Sequence, residues 1–132
     1  MGLMTILSGT EETPNWLVTT AVGASYFSEW RSRVSDSWLD YASRHGLGLA
    51  VAQEDIFRFG EAKRSGAWQK MLAPRTLRDQ LGRDIRCCLI DTDVLISPGA
   101  PDIFARVSSG FFGVVSQERN MPMDRQVLRN RV

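Results

Sequence analysis

The sequence predicts an α/β protein built on an open, mainly parallel sheet with helices on both faces. Three observations lead there. Short apolar runs at 16–22, 47–52 and 85–90 have the length and content of strands, the first of them buried on both faces. The segments between them carry apolar residues at helical spacing. Strand and helix alternate along the chain, with no internal repeat.

Each element has its own local signal. Residues 1–14 read as a flexible leader ended by Pro14, polar from Ser8 onward. Trp16-Leu17-Val18-Thr19-Thr20-Ala21-Val22 is the first strand, and Gly23 stops it. Phe27, Trp30, Val34, Trp38 and Tyr41 then fall on one face of a single helix, with Arg31, Arg33, Asp36 and Asp40 off that face. Ser25 or Ser28 suits its start and Gly46 its end. His45, in its last turn, suits the helix dipole. Residues 47–52 form the second strand, and 54–65 are irregular. Residues 67–81 are helical in pattern, with a break or kink expected at Pro74 and a stop at Gly82.

Residues 85–90 form the third strand, an inner one, and Val94-Leu95-Ile96 resumes its apolar run after Asp91-Thr92-Asp93. Pro101 opens a short helix to Val107. Phe111 to Val115 reads as a fourth strand. The arginine-rich remainder has Asp124 as a cap for a last helix carrying Val127 and Leu128. The four tryptophans, Trp16, Trp30, Trp38 and Trp68, all read as core.

Composition limits the function classes. The 132 residues, 43% apolar and 23% charged, suit one soluble domain with one core. A formal charge of +1 argues for neither a nucleic-acid nor a membrane partner. No run approaches the roughly 18 apolar residues of a membrane helix. Cys87 and Cys88 are adjacent in a strand, so they point to opposite faces and do not pair. Buried free thiols suit a cytoplasmic setting.

Asp91 and Asp93 carry the chemistry. At positions i and i+2 of a strand they project together. At the carboxyl end of a sheet strand they stand where α/β proteins bind ligands. Two neighbouring carboxylates need a cation, and Mg²⁺ or Mn²⁺ accepts one or two of them, completing its shell with water and substrate phosphates. The competing reading makes both residues solvated turn positions.

Trp68-Gln69-Lys70, Leu81, Ile85 to Ile96 with its Asp-x-Asp, Pro101-Asp102-Ile103-Phe104 and the opening Trp16 to Val22 together resemble GT-A-type glycosyltransferases. The resemblance spans residues 15–118 and implies a nucleotide-sugar-binding domain there. It implies that Asp93 binds Mn²⁺ or Mg²⁺ and that Asp91 contacts the ribose or the metal. It further implies that Thr20, Ala21 and Lys70 lie near the nucleotide of a UDP- or GDP-sugar. Glu54 and Asp55, after the second strand, are further candidates for nucleotide contact.

Such domains continue into a second half bearing the acceptor site, a further metal ligand and, in inverting enzymes, a catalytic base. Here 39 residues follow Asp93, none is His, and Glu118 and Asp124 are the only acidic candidates after Asp102. The expectation is therefore donor binding, with 119–132 a tail or the start of that second half, and transfer incomplete in this chain. The alternatives are a non-catalytic nucleotide-binding remnant and a phosphatase resembling the haloacid-dehalogenase group. The latter fits less well, because no lysine follows Lys70. An open sheet edge also predicts self-association.

Overall fold

The structure is a computed structural model that describes residues 2–56, 58–59, 62–63 and 66–114. Its centre is a mixed four-stranded sheet. The strands are β1 (Met4–Ser8), β2 (Asn15–Thr20), β3 (Gly48–Ala52) and, after a short hairpin, β6 (Arg86–Leu89). The hairpin is β4 (Arg58–Phe59) with β5 (Ala62–Lys63). The spatial order is β1-β3-β2-β6. β2 runs parallel to both β3 and β6, and β1 is antiparallel to β3. An α/β architecture with a mainly parallel open sheet is therefore present.

Both faces are covered. On one, Leu17, Leu49 and Val51 pack with Trp30, Trp38, Tyr41 and Phe104. Those four come from α1 (Ala24–Arg33), α2 (Ser35–His45) and α5 (Ile103–Arg106). On the other, Trp16, Val18, Ala50 and Ala52 pack with Met4, Ala73 and Leu77. Ala73 and Leu77 lie on α4 (Ala73–Leu81). Alternating residues of β2 thus enter opposite cores, as a strand buried on both faces requires. Cys87 and Cys88 divide in the same way, one on each face, and both are free thiols.

Trp16 and Gly48 are register partners in neighbouring strands. The Trp16 indole lies across Gly48 so closely that a methyl there would overlap Cδ2, Cε3 and Cζ3. Only glycine leaves room for that approach. The indole Nε1 donates to the Thr13 carbonyl at 2.7 Å, which fixes the ring.

Several expectations need correction. The stretch expected to be a flexible leader contains β1. Met4 is buried against α4, and the Gln80 side chain both accepts from its N–H (2.8 Å) and donates to its carbonyl (3.0 Å). The single long helix is two, broken at Val34, whose φ of −120° and ψ of −41° leave helical geometry. Ser35 Oγ donates back to the Arg31 carbonyl at 2.8 Å and Ser37 Oγ to the Val34 carbonyl at 2.8 Å. Such back-bonding serines bend helices. Neither Ser25 nor Ser28 caps α1. Gly23, at φ +102°, stands at its N-cap with no side-chain bond.

Gly46 and Gly82 do close α2 and α4 in the left-handed conformation. Ahead of α4, the expected helix starts as α3 (Gly66–Gln69) and tightens into a 3₁₀ turn, Lys70–Leu72. Pro74 then sits in the first turn of α4, where a missing N–H costs little.

β6 is an edge strand of the described sheet, not an inner one. Val94-Leu95-Ile96 is irregular and does not resume it. α5 begins at Ile103, capped by Asp102 Oδ1 accepting from the Phe104 N–H at 2.9 Å, so Pro101 precedes the helix rather than opening it. The described part of the expected fourth strand, Phe111 to Val114, is irregular and exposed. Trp68 is 64% exposed, unlike the other three tryptophans. Val115, Glu118, Asp124, Val127, Leu128 and the readings placed on the arginine-rich remainder lie outside the described residues.

Candidate functional site

Because β2, β3 and β6 are parallel, their carboxyl ends lie along one edge of the sheet. Thr20 ends β2 and Ala21 follows it, Gln53 to Asp55 follow β3, and Asp91 to Asp93 follow β6. That is the edge where parallel sheets bind ligands.

The route out of β6 is held from two sides. The Ile90 N–H continues the ladder to the Val18 carbonyl at 3.1 Å. The fully buried Thr19 donates its hydroxyl to the Ile90 carbonyl at 2.6 Å. Residue 90 is therefore fixed through both its N–H and its carbonyl, one position before Asp91. The chain then turns: Val94 N–H bonds back to the Asp91 carbonyl at 3.2 Å. Asp91 and Asp93 thus sit in a β-turn rather than in a strand. The period-two argument for a shared face does not apply to them.

From Val94 onward, α2 holds the loop. Trp38 Nε1 donates to the Val94 carbonyl at 2.7 Å, and Ser37 Oγ accepts from the Ile96 N–H at 3.2 Å. His45 Nε2 lies 3.1 Å from the Ala100 carbonyl. Tyr41 donates its hydroxyl to the Pro101 carbonyl and accepts from the Ile103 N–H, both at 2.8 Å. Burial raises the Tyr41 phenol above its ordinary pKa, so it remains a donor. Residues 37, 38, 41 and 45 are spaced as one helix face, so the apolar stripe read from the sequence also carries a row of polar tips.

Electrostatically the turn is unevenly compensated. Lys70, projecting from the 3₁₀ turn, pairs with Asp91 Oδ1. Among the described residues, no hydrogen bond or ion pair engages the Asp93 carboxylate, and Asp93 is exposed. Next to Lys70, the buried Gln69 accepts from the Ile56 N–H at 2.7 Å and donates to Asp55 Oδ1 at 2.8 Å. The segment 69–70 therefore ties the loop after β3 to the loop after β6.

Of the residues expected at a site, Lys70 and Asp91 are in direct contact, and Asp93 shares their turn. Thr20 and Ala21 stand at the end of the adjacent strand. Thr20 is half-buried and Ala21 is buried, with its N–H committed to the Ala52 carbonyl at 2.8 Å. Glu54 is exposed beside Asp55. Sequence reasoning missed Thr19, Gln69 and Trp38. A threonine inside an apolar strand and a glutamine on an apolar helix face were the available signals for the first two.

No protein-family model, curated protein or solved structure matches this chain. Chemical capacity therefore rests on the residues themselves. Among the described residues, no group of three or more His, Cys, Asp or Glu could hold a metal ion. The donor set is two aspartates on a turn, all oxygen. That fits Mg²⁺ or Mn²⁺ held jointly with a ligand's phosphates and does not fit a closed protein cage. Among the described residues no helix is long and apolar enough to cross a membrane.

Proposed function

We propose that this domain binds a nucleoside-diphosphate sugar, as the donor-binding part of a metal-dependent glycosyltransferase of GT-A type. One observation carries the reading. Lys70 pairs with the exposed Asp91, two residues before the exposed Asp93, at the carboxyl edge of a parallel sheet, on a turn anchored by Thr19 and Trp38.

The residues divide the work. Asp93, with no protein partner among the described residues, would coordinate the cation, and Asp91 would join it or take the ribose. A bound Mg²⁺ or Mn²⁺ supplies neutralisation of the charge that develops on a departing diphosphate. Lys70 adds a point charge for phosphate oxygens. The end of β2 at Thr20 and Ala21 is the wall against which the base would lie.

The test is calorimetric titration with UDP, GDP and their sugars, with and without Mn²⁺. Metal-dependent binding that disappears in Asp93→Ala supports the proposal. No heat for any nucleotide with Mn²⁺ present sinks it. Binding without sugar hydrolysis or transfer would leave a nucleotide-binding remnant. Phosphate-ester turnover lost in Asp91→Asn would point to the phosphatase.

A further inference from the structure

The Lys70–Asp91 pair has a consequence for how the site fills. Lys70 is the more buried partner: its side chain is 24% exposed, against 61% for Asp91. An ammonium sunk that far needs a counter-charge. Asp91 supplies it, while Asp93 beside it has no partner among the described residues. The two carboxylates and one ammonium leave one net negative charge on the turn.

We propose that Lys70 is a resident counter-cation of the turn, displaced from Asp91 by a divalent cation and re-engaged by the diphosphate that arrives with it. This rests on the nucleotide-diphosphate reading above. A divalent ion at Asp91 and Asp93 reverses the sign of the local charge and repels the lysine. The diphosphate then gives the ammonium a new anionic partner. The anatomy suits such an exchange. Gln69 fixes the backbone next to Lys70 through two bonds to the loop after β3. The flexible four-carbon stem leaves the ammonium free to move from carboxylate to phosphate. Cation alone should therefore bind weakly, and cation with diphosphate strongly, because Lys70 opposes the first and supports the second.

The two halves have opposite signs in one variant. With no nucleotide present, Lys70→Met should bind Mn²⁺ about five- to tenfold more tightly than the parent, read by the electron paramagnetic resonance signal of free Mn²⁺. At saturating Mn²⁺, the same variant should bind UDP or GDP about tenfold more weakly by calorimetry. Lys70→Arg keeps the charge and should follow the parent in both. Unchanged or weaker Mn²⁺ binding by Lys70→Met overturns the proposal, as does absence of Mn²⁺ binding by both proteins. Tighter Mn²⁺ binding with no nucleotide bound by any variant keeps Lys70 as the counter-cation and overturns the nucleotide reading instead.

Discussion

Gly48→Ala adds one methyl to a central strand, and the Trp16 indole already occupies the space for it. The new carbon would lie under 3.0 Å from three indole carbons, closer than real carbon contacts. Trp16 is fully buried and its Nε1 is bonded to the Thr13 carbonyl, so the ring has little freedom to swing aside. Overpacking a core typically costs about 1–3 kcal/mol, and a rigid obstacle places this change at the upper end, about 3 kcal/mol. For a domain of this size that is a fall in Tm of roughly 12 °C. Urea denaturation followed by tryptophan fluorescence, checked against thermal melting by circular dichroism, measures it. Trp16→Leu alone should cost about 2 kcal/mol or more through the cavity it leaves. Combined with Gly48→Ala it should cost clearly less than the two together, because the methyl then occupies vacated space. A Gly48→Ala protein within about 1 kcal/mol of the parent would refute the close Trp16–Gly48 approach.

Three other perturbations probe other parts of the molecule. Thr19→Val keeps the shape but removes the hydroxyl from the Ile90 carbonyl. It should cost about 1–2 kcal/mol in urea denaturation and increase amide exchange at 90–94, whereas unchanged exchange there would argue against Thr19 as the anchor of the acidic turn. Gln80→Ala removes both bonds to Met4 and should accelerate amide exchange across Met4–Ser8 at least tenfold, with the rest of the sheet slower to respond. Burial, and then the neighbouring Cys88, push the Cys87 thiol from its ordinary 9.0 up to about 12. The unfolded chain therefore loses this proton first, so the thiol's contribution is complete below pH 9.0 and is lost as pH rises toward 12. Cys87→Ala should flatten the alkaline fall in Tm, and an identical slope in both proteins would show that Cys87 is not its source.

What the sequence revealed follows the range of the forces involved. β2 and β3 were legible because burial on both faces writes itself into consecutive apolar residues, and the half-buried edge strand β6 still shows in the run Cys87 to Ile90. Gly46 and Gly82 were legible because left-handed closure is a local demand of the backbone. β1 was not, since Met4 acquires its meaning only beside α4 and Leu7 only beside the core that α1 and α2 build on the other face. The break at Val34 hides in Ser35 and Ser37, whose hydroxyls turn back on the helix while the apolar spacing runs on undisturbed. Trp68 reads as core because it shares an apolar helix face with Met71 and Leu72, yet all three are exposed, since exposure is decided by what packs above that face. At the candidate site, Lys70 and Asp91 were each visible, yet their contact depends on the turn from α3 into α4 folding back over the sheet edge. Thr19 looked like one more β-branched strand residue, and only the position of Ile90 distinguishes it from Thr20.

The clamp of Gln80 on Met4 bears on the order of assembly during synthesis. The strand earliest in this sequence leaves the ribosome with no ladder to join, because β3 is still to come. Its second support lies seventy-six residues further on. Until β3 has emerged, Met4–Ser8 is a strand with both edges open, the kind of segment that pairs with a neighbouring nascent chain, and Met4 lacks its clamp until α4 follows. β1 should therefore be secured in two stages, by β3 and then by α4, and a pause in translation before β3 is when a chaperone would find both its edges exposed.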